Sequence, residues 1–316
     1  MTAAATDPDP EVEQVRRFNR AVTQRVGALS DRYLARSRPL SACRVLWEIG
    51  VEGVEVRALR ARLDMDSGQL SRLLRGLEAD ALVELVPSPA DARIRVARLT
   101  PSGMAERRVL DDRSDELARS ILTALDSVQR EQLVAAMRSA ERLITASLVE
   151  TLVVDPEHPD AKRCLRAYIA ELNRRSDVPF DPSNGSTAEP HEVRPPAGAF
   201  LVAYLNGDAV GCGAVKHRPG GPTDIKRMWV AESARGLGIG RRLLRELEAL
   251  ARESGARVVQ LETNAALVEA IAMYRSAGYA EVPAFNEEPF AHHWFAKPLS
   301  RAETEAVTAA APPSAS

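Results

Sequence analysis

The sequence predicts two domains: a mostly α-helical domain that contains a β-hairpin, followed by an α/β (α+β) domain with a mixed sheet. The first observation is length, because 316 residues amount to two domains of about 150 residues each. The second is periodicity, since apolar residues recur every three or four positions in the first half, whereas the second half contains several β-rich runs. The third is the acidic, proline-containing stretch VVDPEHPD between the halves.

These observations predict five segments along the chain. They are a disordered tail over 1–10, the helical domain over 11–150, a linker over 151–160, the α/β domain over 161–301 and a second disordered tail over 302–316. Both tails are rich in small residues and proline, which is typical of termini that do not pack against a core.

Composition excludes several classes of protein. The chain is 45% hydrophobic and 27% charged with a formal net charge of -2, as expected of a globular protein in water. No apolar run approaches the roughly 18 residues of a membrane span, and no signal peptide is recognisable, so we expect a cytoplasmic protein without a membrane partner. The three cysteines are widely spaced and form no CxxC pair, which argues against a disulfide framework and against a metal site.

The first domain begins with helical patterns. Apolar steps of three and four residues predict one long helix that starts near Glu11 and ends before Pro39. Three short helices are then predicted in LSACRVLWEIG, VEVRALRARLD and MDSGQLSRLLRGLEADALV. Residues between Asp64 and Ser67 supply an N-cap for the third of them.

A β-hairpin and further helices complete the first domain. VELVP and RIRVARLT are β-rich and flank a SPADA turn, which predicts the hairpin. Thr100 and Pro101 then supply a cap and a first helical residue for another helix. Helical patterning continues to about Glu150, with an interruption near Asp126.

The third short helix carries a candidate nucleic-acid surface. Leucines occupy one face, and the opposite side holds small polar and basic residues suited to base edges and phosphates. The candidate contacts are Ser67, Gln69, Ser71, Arg72 and Arg75 on the helix, with Arg93 and Arg95 on the hairpin. An isolated helix with this face would more often be merely solvated; the hairpin and flanking helices in this order favour DNA binding by a winged helix-turn-helix.

This domain resembles the MarR family of transcription regulators, through the order of its elements and the wing motif DARIRVARLTPSG. The resemblance implies a homodimer formed by the first helix and the last two. It also implies that two recognition helices, about 34 Å apart, bind a near-palindromic operator in double-stranded DNA, which would place the protein at the nucleoid. The domain contains no lysine, so its sequence-independent affinity for DNA is expected to be modest.

The second domain is predicted to alternate strands and helices. A helix in AKRCLRAYIAELNRRS precedes a hairpin that turns at Asn206 and Gly207, and the strand DIKRMWV follows. The stretch ESARGLGIG leads into a helix from Gly240, and the strand VVQLET, a helix in LVEAIAMYRSAG and a last strand at HHWFAKPL follow.

The glycine-rich stretch fits a cradle for a phosphate. A strand precedes it and a helix follows it, so backbone N–H groups can converge on an anion at a helix N-terminus. A Walker motif is excluded because no Gly-Lys-Ser/Thr follows, and a dinucleotide-binding motif fits poorly, although Glu262 loosely mimics its acidic residue. A flexible turn is the remaining alternative.

Two motifs in this domain resemble those of the GNAT acetyltransferases, namely RGLGIG and, about forty residues later, AIAMYRSAGY. The resemblance implies a sheet whose central strands splay apart, and acetyl-CoA as cofactor. Many members carry Asn seven residues before the tyrosine, where this chain has Leu267, so Asn264 is a substitute candidate. The implied cofactor contacts are Met228, Trp229, Val230, Arg235, Gly236, Leu237, Gly238, Ile239, Gly240, Arg241, Asn264 and Tyr274.

The same resemblance implies direct transfer to an amine. Tyr274 stands where the family places the general acid that protonates the leaving thiolate, and a backbone amide near Met228 would stabilise the oxyanion. Glu262 is our first choice for the general base; Asp224, His292 and His293 remain open as alternatives.

The sequence therefore predicts a bifunctional protein, a DNA-binding transcription regulator joined to an N-acetyltransferase that acts on a small amine or amino acid. Two alternatives are open. The second domain could sense acetyl-CoA or a metabolite without turnover, or it could acetylate protein lysines.

Overall fold

A computed structural model describes residues 9–28, 33–89, 91–175, 188–218 and 220–299. The chain divides into two compact units, residues 1–137 and 138–316. Of the tails predicted over 1–10 and 302–316, residues 1–8 and 302–316 lie outside the described residues. Asp9 and Pro10, assigned to the first tail, instead begin a helix, because the Asp9 carboxylate accepts from the Glu11 amide at 2.9 Å.

The first unit is mostly helical, as predicted. Its elements in chain order are α1 (Pro10–Arg25), α2 (Leu40–Ile49), β1 (Val54–Glu55), α3 (Val56–Leu63), α4 (Ser67–Ala79), β2 (Val83–Pro87), β3 (Arg95–Leu99), α5 (Pro101–Thr123) and α6 (Ser127–Ser147). The helix α6 runs past the boundary of the unit.

The predicted long first helix is shorter than expected. It ends at Arg25, and Gly27 then takes a φ of +69°, outside the helical region. Tyr33, which continues the apolar spacing, belongs to a separate 3₁₀ turn and is buried with its ring 6.2 Å from that of Trp47. The apolar spacing predicted too long a helix because Tyr33, a core residue of the next segment, happens to stand at the position that the helical repeat would give it.

Local caps confirm the starts of α4 and α5. The Asp66 side chain accepts from the Gln69 amide at 2.8 Å, and Thr100 accepts from the Gly103 amide at 3.0 Å. The hairpin of β2 and β3 is also confirmed, and the short strand β1, which the sequence did not reveal, extends it to three strands in the order β1-β3-β2.

The second unit is a seven-stranded sheet with helices on it. Its order is β4-β5-β6-β7-β8-β10-β9, in which only β7 and β8 run parallel. The elements are β4 (Val149–Val154), α7 (Pro159–Arg175), β5 (Gly198–Leu205), β6 (Asp208–Lys216), β7 (Thr223–Val230), α8 (Ile239–Glu253), β8 (Val258–Thr263), α9 (Val268–Ser276), β9 (Ala280–Val282) and β10 (His293–Pro298).

The predicted linker over 151–160 is wrong for most of its length. Residues 151–154 belong to β4, which pairs with β5 from Val149↔Leu205 to Val154↔Phe200, and α7 already begins at Pro159. Prolines and acidic residues at 155–158 mark only the short connection between strand and helix. The strand β9, just three residues long, also escaped the sequence analysis.

Each face of this sheet buries its own apolar cluster, because successive strand residues point to opposite sides. Phe200 and Val202 of β5 pack in the cluster that includes Cys164 of α7. Leu201 and Ala203, their neighbours, pack in the larger cluster formed with α8, α9 and β10. Among the described residues, no helix combines the length and apolar character needed to cross a membrane.

We expect Gly103→Ala to destabilise the first unit by about 1–3 kcal/mol, the usual cost of overpacking. A Cβ at this position would lie 1.9 Å from the carbonyl oxygen of Leu82, which already binds the Thr100 amide. The measurement is the free energy of unfolding by urea, followed by circular dichroism.

Gly76→Ala is the matched control, since Gly76 is also helical but has open space around its Cβ position. It should stabilise by about 0.5–1 kcal/mol through helix propensity. Equal effects of the two substitutions would contradict the close approach at Gly103.

Candidate functional site

The site begins where β7 and β8 separate. The two strands pair only at Thr223↔Val259 and Asp224↔Gln260. At this base Asp224 is fully buried and accepts from Gln260 at 2.7 Å and from Arg218 at 2.6 and 2.9 Å. Beyond it the strands diverge and open a cleft, as the sequence analysis expected.

A bulge in β7 orients the backbone toward that cleft. The β6–β7 register shifts between Cys212 and Ala214, and Arg227 takes a φ of +58°. After the bulge, the Ala231 amide donates to Val210 of β6. N–H groups alternate in direction along a strand, so that of Val230 points to the open side. We expect the same of the Met228 N–H, which lies at the bulge.

A glycine-rich loop borders one part of the cleft. Gly236 and Gly238 have φ values of +80° and +78°, and a Cβ at either would meet open space. Gly238 caps α8, whose first N–H groups have no acceptor within the helix. These groups line a cavity of about 550 Å³, which we call the glycine lobe. Predicted contacts from Met228 to Val230, and from Arg235 to Arg241 except Leu237, line it.

Two arginines of this loop differ in their partners. Arg235 binds both carboxylate oxygens of Glu171, at 2.5 and 2.6 Å, and Glu171 also accepts from Trp229 at 2.9 Å. Arg241 is exposed and binds the Ser276 hydroxyl at 3.1 Å, and no described carboxylate lies within ion-pair distance of it. Arg241 is therefore the loop cation that remains available to an anionic ligand.

A second cavity, of about 110 Å³, adjoins the first, and we call it the Glu262 lobe. Glu262 forms an ion pair with Lys226, and both side chains are about 9% exposed. Asn286 donates to the other Glu262 oxygen at 3.4 Å. The residues that line both lobes are Tyr168, Leu172, Met228, Leu267, Ala270 and Tyr274.

Tyr274 thus lies where the lobes meet. Its ring is 4% exposed and packs 5.9 Å from Tyr279 and 6.0 Å from Phe295. Burial raises the pKa of the Tyr274 phenol above its usual value, and the nearby Tyr168 and Glu262 raise it further. The phenol is therefore protonated at neutral pH and suited to donate a proton.

The other predicted site residues lie elsewhere or have structural partners. Asp224 serves the sheet, and His293 pairs with Glu281 at 2.6 Å outside both lobes. His292 lies outside them too, and its ring accepts weakly from the Ala265 amide at 3.4 Å.

Asn264 lines the Glu262 lobe and not the glycine lobe. Its side-chain amide donates to the Phe290 carbonyl and accepts from the Ala266 N–H, both at 2.9 Å. The structure thus gives Asn264 no contact with the glycine lobe.

Comparison with known proteins agrees with this geometry. Residues 166–279 match the Acetyltransferase (GNAT) family, and residues 38–94 match the MarR family. An IAA acetyltransferase of Azospirillum brasilense is 38% identical over 114 residues, which cover 36% of this chain and 74% of that protein. The chain belongs to the GNAT acetyltransferase family.

Two further relatives carry the name of acetyltransferases. An uncharacterized N-acetyltransferase of Schizosaccharomyces pombe, C1271.07c, is 32% identical over 138 residues, covering 42% of this chain and 80% of that protein. The N-alpha-acetyltransferase RimI of Mycobacterium tuberculosis is 35% identical over 130 residues, covering 39% and 74%. The chain therefore carries a GNAT N-acetyltransferase domain behind a MarR-family domain.

The MarR-family domain presents its predicted DNA contacts to solvent. Leu70, Leu74 and Leu77 anchor α4 in the core. The polar side of α4 and the wing are exposed over all predicted contacts, Ser67, Gln69, Ser71, Arg72, Arg75, Arg93 and Arg95. At the wing the Arg93 amide donates to the Asp91 carboxylate at 2.9 Å, which shapes the turn.

The two lobes are also lined by residues that the sequence analysis missed, namely Tyr168 and Glu171 of α7 and Arg227 of β7. Glu171 was detectable, because it is an acidic residue beside the apolar stripe of α7. Arg227 carried no such signal, since its role depends on a bulge that strand periodicity does not reveal.

We expect Gly238→Ala to weaken acetyl-CoA binding about tenfold, the equivalent of one lost hydrogen bond to a charged group. A Cβ disfavours the left-handed conformation that directs the first N–H groups of α8 into the glycine lobe. The measurement is titration calorimetry.

Gly255→Ala is the control. Gly255 has a φ of +86° and open space around its Cβ position, but it follows the other end of α8. It should cost similar stability and leave affinity unchanged. Equal affinity losses in both variants would argue against a specific role of the loop.

Proposed function

We propose that this protein is both a DNA-binding transcription regulator and an N-acetyltransferase that transfers acetyl from acetyl-CoA to a small amine or amino acid. The observation that carries the enzymatic part is the meeting of the two lobes at Tyr274 and Met228. One lobe supplies anion-binding backbone, the other supplies carboxylates, and a proton donor stands between them.

The glycine lobe fits the pyrophosphate and pantetheine of acetyl-CoA. The N–H groups at the start of α8 and the Arg241 guanidinium would hold the pyrophosphate. The open N–H of Val230 would pair with the pantetheine arm as an added strand would. Acetyl-CoA supplies an activated acetyl group. The chain supplies its position, next to the open N–H of Met228.

Three residues divide the remaining work. The Met228 amide would stabilise negative charge that develops on the acetyl oxygen. Glu262 would take a proton from the acceptor's ammonium, directly or through water, to give the neutral amine that attacks the thioester, while Lys226 compensates the buried charge of Glu262. Tyr274 would give its phenolic proton to the departing thiolate.

The MarR-family domain supports binding to a near-palindromic operator as a homodimer. Its α4 presents arginines to the major groove, and its wing presents Arg93 to the minor groove. A stripe on α1 is unusually exposed for apolar residues: Val12 is 52% exposed, Val15 58%, Phe18 43% and Val22 41%. A second copy covering this stripe would remove it from water.

Tyr274→Phe should lower kcat at least tenfold, because the thiolate then leaves without its proton donor. The assay is release of free CoA thiol against a panel of amino acids and amines. Since burial raises the pKa of Tyr274 above its usual value of about 10, this acid should cause no alkaline loss of wild-type activity below about pH 10.

Tyr279→Phe is the control, because it removes a buried hydroxyl, bonded to Glu248 at 3.0 Å, outside both lobes. It should lower stability but not the pH-independent kcat. Tight acetyl-CoA binding without turnover would reject the enzyme and favour a domain that senses acetyl-CoA. Turnover confined to protein lysines would reject a small amine or amino acid as the acceptor.

Arg93→Ala should weaken binding to an operator near the gene by about 1–3 kcal/mol if the wing reads the groove. The assay is gel shift at fixed salt. Arg44→Ala on α2, whose side chain pairs with Glu48 at 2.7 Å, is the control of equal charge. Equal affinities of the two variants for the operator would contradict the prediction that Arg93 contacts DNA.

A further inference from the structure

Arg227 is a half-buried cation in the wall of the Glu262 lobe. It lies on the bulge of β7, between Lys226 and Met228, and its φ of +58° is unusual for a residue with a side chain. The side chain donates one hydrogen bond, to the carbonyl oxygen of Ala188 at 2.7 Å. Burial lowers the pKa of its guanidinium, although an arginine still keeps its charge at neutral pH.

The described residues that line this lobe include two basic ones, Lys226 and Arg227, and two acidic ones, Glu262 and Glu288. Lys226 forms its ion pair with Glu262. No carboxylate of the described residues lies within ion-pair distance of Arg227. By contrast, two other arginines of this unit form ion pairs with buried carboxylates, Arg218 with Asp224 and Arg235 with Glu171.

A half-buried guanidinium without an ion-pair partner can gain one from a ligand, and charge-assisted hydrogen bonds are stronger where bulk water is partly excluded. Its five N–H donors form a planar fork that matches a carboxylate, and one carbonyl oxygen satisfies a single donor. A carboxylate that enters the lobe would give Arg227 an ion-pair partner, whereas an uncharged ligand would not.

We propose that Arg227 binds the carboxylate of the acetyl acceptor, so that the acceptor is a free amino acid. This inference rests on the acetyl transfer proposed above. A carboxylate site distinguishes a free amino acid from a simple amine, which has no carboxylate. The same site distinguishes a free amino acid from a protein N-terminus or lysine, whose neighbouring carbonyl belongs to an uncharged amide.

The position of Arg227 fits an amine and a carboxylate that are close together. Arg227 precedes Met228 in β7, and their Cα atoms are about 3.8 Å apart, so both residues belong to the same stretch of the lobe wall. The ammonium of the same acceptor would face Glu262 across the lobe. A cavity of about 110 Å³ admits a small molecule held at both ends.

The test compares matched acceptors: the common amino acids, their amides, and the amines that lack the carboxyl group. The wild type should favour amino acids in kcat/KM. Arg227→Gln should lower kcat/KM for amino acids about 100-fold, as expected on removing one partner of a buried charge pair. It should change kcat/KM for amides and amines less than threefold. Arg227→Lys, which keeps charge without the fork, should fall between.

Arg166→Gln is the control, since Arg166 is exposed on α7 between the lobe residues Leu165 and Tyr168. It should match the wild type. Acetyl-CoA affinity and the thermal midpoint, measured for every variant, show that each variant is folded. Titration of amino acids and amides into the protein saturated with CoA gives a second readout that needs no turnover.

The outcomes separate the two proposals. Amides or amines acetylated as well as amino acids, with no effect of Arg227→Gln, would overturn the carboxylate site and leave the acetyltransferase standing. Amino acids that bind only when Arg227 is present, but are not acetylated, would support the site and refute transfer. If amino acids neither bind nor react, the carboxylate site is wrong.

Discussion

The separation of β7 from β8 is the constraint on which the rest of the site depends. Two residue pairs join the strands, and the buried Asp224 holds Gln260 and Arg218 at the point where pairing stops. Past that point the ion pair of Lys226 and Glu262 spans the gap in place of backbone hydrogen bonds. A cleft between two strands of one sheet exposes main-chain groups to a ligand, and side-chain pairs at its base and wall keep it open.

Elements with local signals could be predicted from sequence, and those that depend on distant contacts could not. The start of α5 followed from Thr100 and Pro101, because a cap acts within three residues. The end of α1 did not, since the apolar spacing of Tyr33 reflects a contact with Trp47 and not continued helix. The strand β4 was hidden because prolines beside it resembled a linker.

The same division applies to the site. The glycine loop and Tyr274 were predictable, because each belongs to a short motif with fixed spacing. The partners of Arg235 and Asn264 were not, since Glu171 lies 64 residues from Arg235 in the chain and Phe290 lies 26 from Asn264. A sequence shows which residues can carry charge, but the fold decides which of those charges are already neutralised.

That distinction changes the account of the glycine loop. Two arginines in the motif suggest a cradle that works by positive charge, yet Arg235 is neutralised by Glu171, which Arg175 also approaches at 3.1 Å. In the function proposed here, the attraction for an anion then rests on Arg241 and on the N–H groups at the start of α8. Such groups act only at hydrogen-bond distance, so the ligand must approach the main chain closely. Glycine is therefore needed at positions 236 and 238 because it leaves the main chain accessible to the ligand, which the charge of a nearby arginine would not do.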